Sequence, residues 1–504
     1  MMRSASTFAC LAAAATLLSG AASAQTLRVG LQEDPDLLDP ALARSFVGRI
    51  VFTQLCDKLV DITPALEFAP QLATEWRWSE DNKSLTMKLR SGVVFHDGEP
   101  FNAQAVKYNL DRNLTLKGST RRSEIAAIDK VEVVDDQTVR IDLKQPFAPL
   151  LAALSDRAGM MISPKAGEAA GENFSRSPVC SGPYKFVERI AQDRIVLEKF
   201  PQHWNAGAYT FEKLVFLPIP DTTVRLANLQ AGQLDLIERM APSDVPTVKG
   251  SANLKFVQTT NLGYQGITIN IGNGPRADNP LAKDARIREA LELSIDRAVI
   301  NQVAFDGLFI PGNQPVAPDS PFYAKSVPTP PRDVARAKQL LKEAGHERLR
   351  VELMTPNNTD FLRVAEIIQA LAGEAGFEIA INATEFASAL DRQTKGDFEA
   401  FLIGWSGRAD PDGNIHIFVA CGGGLNDGKY CNPEVDKHLN AARSVNDPKA
   451  RLAEYEKAAQ LYLADRQRIY LYHQTWLWAH TDKLSGFKPH PDGLLRLENV
   501  SLAK

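Results

Sequence analysis

The sequence predicts a mixed α/β chain folded into at least two units. Three observations lead there. At 504 residues the chain exceeds what one compact core can bury. Its first half is rich in short alternating runs of strand type, and its second half in amphipathic helical periods. Between Arg350 and Asn382 the pattern reads strand, helix, strand, the signature of a β-α-β unit.

Taken in order, Thr26–Leu31 reads as the opening strand and Ser84–Arg90 as a half-buried one. A turn at Asp97-Gly98 precedes a helix over Ala103–Arg112, with Asn102 as its N-cap. Residues 130–135 and 138–143 alternate and meet at Asp136-Gln137, a hairpin. Residues 184–200 give a further strand pair. From Asp284 to Phe305, Ile287, Leu291, Ile295, Val299 and Val303 recur every four residues, which suits one amphipathic helix or two. A helix over 333–344 is capped by Asp333 and stopped by Gly345. A helix over about 359–375, ended by Gly376, lies between the strands of the β-α-β unit. Asn432-Pro433 and Asp447-Pro448 each place a capping side chain before a proline at the first helical position, and so start two helices. Ile469–His480 reads as a single buried strand carrying several aromatics. Pro- and Gly-rich stretches at 311–331 and 421–428 are loops, and no internal repeat is found.

Composition narrows the function. Hydrophobic residues make up 44% and charged residues 23%, an ordinary globular balance. A net charge of −4 gives no reason to expect nucleic acid as a partner. The first 24 residues carry one charge, Arg3, then an apolar run from Phe8 to Leu18 and the small-residue site Ala22-Ser23-Ala24. That is the pattern of a secretory signal peptide cut after Ala24. Cys10 follows Thr7-Phe8-Ala9, a poor lipidation context inside the apolar run. Four cysteines remain after cleavage. Nine residues, four of them glycine, separate Cys421 from Cys431, so this supple loop is expected to close as a disulfide in an oxidising compartment. Cys56 and Cys180 are left open.

No enzymatic constellation emerges. Gly423–Lys429 fits the first part of a phosphate loop, but Tyr430 stands where Ser or Thr would reach magnesium. The run from Asp410 resembles a calcium loop and fails at Ile415 and Cys421. Gly404–Arg408 misses the nucleophile elbow because Arg408 replaces its second glycine. The eight histidines are scattered. The expectation is a binding protein with no catalytic residues, no metal and no cofactor.

Five stretches carry a resemblance: Pro70–Gly98 with its Trp76 and His96-Asp97-Gly98; Ser181-Gly182-Pro183-Tyr184 with His203-Trp204-Asn205; Leu229–Asp235; Ala285–Arg297; and Asp410-Pro411 followed by Tyr430–Asp436. In this order, and across essentially the whole mature chain, they resemble the family 5 extracellular solute-binding proteins, the dipeptide, oligopeptide and nickel-chelate receptors of ABC importers. The resemblance implies a two-lobed periplasmic-binding-protein fold with an extra domain inserted in the first lobe. Lobe I would comprise 25–58, 180–271 and 485–504, the extra domain 59–179 and lobe II 272–484, with crossovers at Phe256–Ile271 and His480–Phe487. It implies a monomeric periplasmic receptor that holds a peptide, an opine-like conjugate or a similar small solute between the lobes and delivers it to an inner-membrane permease. A sensor or chaperone module of the same fold is the alternative.

In peptide-binding relatives an aspartate near a Trp-containing strand end meets the peptide amine. The matching segment here is Trp405, Ser406, Gly407, Arg408, Ala409, Asp410, and neither Gly407 nor Arg408 is acidic. A buried ammonium needs a carboxylate partner, so the departure argues against a plain dipeptide. Arg408 suits a solute carboxylate, with the alternative that it points outward or pairs with Asp410 or Asp412. Tyr264, Trp405, Trp476 and Trp478 are the expected aromatic walls.

Overall fold

The computed structural model describes residues 25–503, so the leader read at 1–24 lies outside the described residues. Two sheets carry the fold. The first has seven strands in the order Leu254–Thr260, Thr475–Thr481, Leu236–Ile237, Thr26–Leu31, Lys213–Pro218, Arg194–Lys199, Tyr184–Ile190. Its centre is parallel: Thr26–Leu31 runs beside Lys213–Pro218 and Leu236–Ile237 in the same direction. Leu27, Val29 and Leu31 are fully buried, and with Phe52, Phe216 and Trp478 they form the core of this lobe.

The second sheet has six strands in the order Ile310–Pro311, Arg468–His473, Tyr264–Ile269, Ala400–Trp405, Leu349–Pro356, Phe377–Thr384. The β-α-β unit read from the sequence is its parallel edge, Leu349–Pro356 beside Phe377–Thr384. Helix Thr359–Gly373 covers it and buries Phe361, Val364 and Ile368. A four-stranded antiparallel sheet, Ala73–Trp78, Ser84–Leu89, Thr138–Leu143, Ile128–Asp135, has its own core of Leu85, Met87, Val106, Leu110 and Ile141.

The capping signals act as read. Asn102 accepts from Ala105 N, Asp333 from Arg336 N, Asn432 from Glu434 N and Asp447 from Ala450 N. The 284–305 stretch is two helices, Ala285–Ser294 and Arg297–Phe305, the second restarted by an Asp296 carboxylate that accepts from Ala298 N and Val299 N. Ile287, Leu291 and Ile295 are buried, whereas Val299 and Val303 are exposed and the second helix buries Ile300, Ala304 and Phe305.

Residues 469–480 correct the single-strand reading. Arg468–His473 belongs to the second sheet and Thr475–Thr481 to the first, with only Gln474 between them. The other crossing occurs between Leu254–Thr260 and Tyr264–Ile269, at residues 261–263. The chain thus passes between the sheets at 261–263, inside the expected crossover Phe256–Ile271, and at Gln474, ahead of the expected His480–Phe487. Buried aromatic residues on both sides of Gln474 hide the break, because a strand leaving one sheet and entering another keeps the same alternation.

Candidate functional site

Open α/β sheets present their ligand sites beyond the carboxyl ends of parallel strands. Here four such ends face one another. Thr26–Leu31 delivers Gln32 and Glu33, Leu236–Ile237 delivers Glu238 and Arg239, Leu349–Pro356 delivers Asn358 and Asp360, and Ala400–Trp405 delivers Ser406. Within the first lobe Gln32 N donates to Glu238 Oε1 at 2.6 Å and Arg239 pairs with Glu33 and Glu238, and Asn358 Nδ2 crosses from the second lobe to donate to Glu33 Oε1 at 3.1 Å. Burial raises the Glu33 and Asp360 carboxyls, against the pull of nearby arginines.

Beside this network lies a cavity of about 70 Å³ between the sheets. Its aromatic side is Phe46 stacked on Trp476 (centroids 4.5 Å apart, planes 13° apart) together with Trp405. Its polar side is Arg44, Arg239, Gln265, Ser406 and Gln474. The Arg239 guanidinium lies 5.1 Å from the centre of the Phe46 ring, and Arg44 crosses to Asp427 and Gln393 in the other lobe. Gln265 Nε2 donates to Gln474 Oε1 at 2.9 Å, leaving Gln265 Oε1 buried without a partner. No aspartate or glutamate lines this cavity.

The sequence-derived residues divide. Trp405 and Ser406 line the cavity. Gly407 has a backbone reason for being glycine: its φ is +83°, and a Cβ there would lie 2.2 Å from the Leu262 carbonyl carbon. Arg408 turns away from the cavity. Its guanidinium stacks 4.1 Å from the Trp405 ring and sits 3.3 Å from Asp156, in the body that carries the four-stranded sheet. The alternative partners are also taken, Asp410 by Arg451 at 2.7 Å and Asp412 by Arg443 at 2.8 Å. Tyr264 and Trp478, expected as walls, are core residues at 1% exposure. The Tyr264 hydroxyl accepts from Arg468 at 2.6 Å, and Trp478 packs on Phe487. Their bulk fills lobe interiors, so of the two strand tryptophans only Trp476 meets the cavity.

Asp156 is the hub of a second interlobe contact. Arg49, from helix Phe46–Leu55, pairs with it and donates to Ser406 Oγ at 2.8 Å, while Arg157 lies 3.6 Å away. Burial alone would raise the Asp156 carboxyl, but Arg408, Arg49 and Arg157 outweigh it and hold it well below the carboxylate range. Burial, with repulsion from Arg49, lowers Arg408 to about 9. Sequence reading missed Arg44, Phe46, Arg239 and Gln265. The one signal for Arg239 was a charged pair, Glu238-Arg239, directly after a short apolar strand.

Among the described residues there are two disulfides, Cys421–Cys431 with Cα atoms 4.5 Å apart and Cys56–Cys180 at 4.9 Å. Among the described residues no helix is long and apolar enough to cross a membrane, and no three metal-ligating side chains cluster.

Comparison with known proteins extends this picture. A model of the bacterial extracellular solute-binding proteins, family 5, matches residues 67–426. A glutathione-binding protein of Pectobacterium atrosepticum is 30% identical over 480 residues, 93% of this chain and 92% of that protein. Among solved structures, the dipeptide-binding protein of Pseudoalteromonas sp. SM9913 in complex with Met-Leu superposes with a TM-score of 0.87 at 24% identity, covering 95% of this chain and all of that one. The murein tripeptide binding protein of Escherichia coli superposes at 0.88 with 22% identity, covering 96% and 99%.

Proposed function

Because the chain belongs to the family 5 bacterial extracellular solute-binding proteins, the solute-capturing components of ABC importers, we propose that its solute is a small peptide-like molecule recognised through a carboxylate. One observation carries the reading: the interlobe cavity presents Arg44 and Arg239 and no acidic side chain. A carboxylate there gains charge-assisted hydrogen bonds, whereas a free ammonium finds no counter-charge. Phe46, Trp405 and Trp476 supply the apolar and aromatic surface such sites use. Glutathione, a tripeptide with two carboxylates and one free ammonium, offers the carboxylates of this reading, its ammonium then lying away from the two arginines, and the 30% identical relative is named for binding it. Arg408 does not line this cavity, so in this reading its place as acid-binding group is taken by Arg44 and Arg239, which do line it and would exchange part of their pairing with Asp427 and with Glu33 and Glu238 for the solute, beside Trp405 and Ser406.

At about 70 Å³ the cavity is far below the roughly 300 Å³ at the lower end for ligand pockets, so a solute enters when the lobes part about residues 261–263 and Gln474 and is held when they close. Export with cleavage after Ala24, leaving Gln25 first, and action as a monomer complete the proposal.

The test is calorimetric titration with glutathione, its N-acetyl form, ordinary dipeptides and their amides. Acidic solutes should bind irrespective of N-acetylation, and Arg44→Gln should weaken them about 10- to 150-fold, the loss of a charge-assisted hydrogen bond. Scattering should show the radius of gyration falling on binding. Dipeptides that bind tightly, fail when acetylated and ignore Arg44→Gln would overturn this reading.

A further inference from the structure

On the far side of the Trp405–Arg408 segment lies a larger pocket, of about 350 Å³. Its walls come from three parts of the chain: Leu66 beside the four-stranded sheet, Leu262 at the interlobe crossing, and Val316 with Phe322 in the Pro-rich loop of the second lobe. The lining is mostly apolar, with Asp319 at its exposed rim. Three polar residues line it from depth, Asn261 and Asn414 at 3% and Arg408 at 6% exposure, and Asn414 is already engaged by Trp405 Nε1 and the Arg408 backbone. Asn261 Nδ2 is a buried donor with no acceptor, and Arg408 Nη2, 3.3 Å from Asp156 Oδ1, has an ion-pair partner there but no well-aligned hydrogen bond. A buried donor without an acceptor is costly, and Asn261 Nδ2 beside an under-bonded guanidinium marks a place for an acceptor from outside.

Charge points the same way. The buried group around Asp156 holds Arg49, Arg121, Arg157 and Arg408 against Asp156 and Glu124 alone. Glu124 is engaged by Arg121 at 2.5 Å, and Asp156 is divided among three guanidiniums. Asp410 and Asp412, which lie near Arg408, are already matched by Arg451 and Arg443. The cluster therefore keeps an excess of positive charge in a poorly solvated place, and an anion would relieve it.

We propose that this pocket is a second ligand site, separate from the interlobe cavity, which takes a small carboxylate carrying an apolar group, its carboxylate on Arg408 Nη2 and Asn261 Nδ2 and its apolar part against Leu262, Val316 and Phe322. Because its walls belong to both sides of the crossing, an occupant favours the closed arrangement.

N-acetyl-leucine is the probe, with N-acetyl-leucinamide as its neutral isostere, titrated into the full mature chain by ligand-observed NMR. The acid should bind in the millimolar range and at least about tenfold better than the amide. Arg408→Gln should erase that preference. Ala317→Trp, which fills the pocket from its wall without touching the charge cluster, should abolish binding of both probes while leaving the interlobe site intact. Arg44→Gln should change nothing here. The proposal fails if acid and amide bind alike, if neither binds by about 10 mM, or if binding survives Ala317→Trp. Loss through Arg44→Gln instead would assign the probe to the interlobe cavity and also overturn it, leaving the proposed function untouched.

Discussion

Replacing Asp156 by alanine removes the single carboxylate shared by Arg49, Arg157 and Arg408. The first of these is only 1% exposed, the second fully buried, and the third 6% exposed. Breaking a buried ion pair by deleting one partner typically costs about 3–5 kcal/mol, since the surviving charge is left uncompensated. Here three charges are stranded, so the upper half of that range applies. With an unfolding entropy of about 2.1 cal/mol/K per residue over roughly 480 residues, about 4 kcal/mol lowers the midpoint by about 4 °C if the chain melts as one unit. Because Asp156 is held well below its usual range, its contribution is present above the unfolded carboxyl pKa of about 3.9 and is lost only in strong acid. The Asp156→Ala penalty should therefore be constant from about pH 5 to 8. Urea unfolding at these pH values measures it, and a double variant with Arg408→Gln should recover part of the loss by removing one stranded cation. A penalty under about 1 kcal/mol would refute the reasoning and place the cluster among solvent-screened pairs.

Other outcomes follow from single contacts. His96 Nε2 donates to Gly182 O at 2.9 Å while Nδ1 accepts from Cys180 N at 3.3 Å, so only the neutral ring fits, and burial lowers its pKa to about 4. Between about pH 6.5 and 4 the unfolded chain binds the extra proton, so His96 should account for up to about 3 kcal/mol of stability lost as pH drops through that window, and His96→Gln should lessen the slope in unfolding titrations by that share, leaving the part due to His473, which burial likewise lowers to about 4. The two disulfides should differ in worth. Cys56–Cys180 closes 124 residues and Cys421–Cys431 only 10, so loop entropy assigns roughly 4–5 and 2–3 kcal/mol. Serine double variants compared by calorimetry should rank in that order. Gly407→Ala should destabilise the chain by more than about 1 kcal/mol, from the positive φ together with the clash at Leu262, and equal melting curves would contradict this.

What the sequence revealed was local. Asn102, Asp333, Asn432 and Asp447 bond to amides two or three residues away, so their patterns sit within one glance of the chain. The parallel edge was legible because a strand, a helix and a strand follow one another with a glycine between the last two. What stayed hidden depends on distant partners. Trp476 and Trp478 share a strand and a face, yet Phe46 makes the first a cavity wall and Phe487 makes the second core. Arg408 reads as a lone cation until Asp156, from another part of the fold, is placed beside it. The strand end at Trp405 was identified, but the residues opposite it, Arg44, Phe46 and Arg239, carry no pattern of their own.

The one-residue crossing at Gln474 has a mechanical corollary. Gln474 and its partner Gln265 line the interlobe cavity, so the axis on which the lobes turn passes beside the space where a solute sits. Rotation about a nearby axis moves near points little and far points much, as with the pages of a book close to its spine. The cavity then gapes only slightly for a given rotation, while an exposed contact outside its lining, such as Gln192 with Glu385 (3.1 Å), sweeps a longer arc. A small solute held near the spine would thereby govern a large excursion at the outer edge.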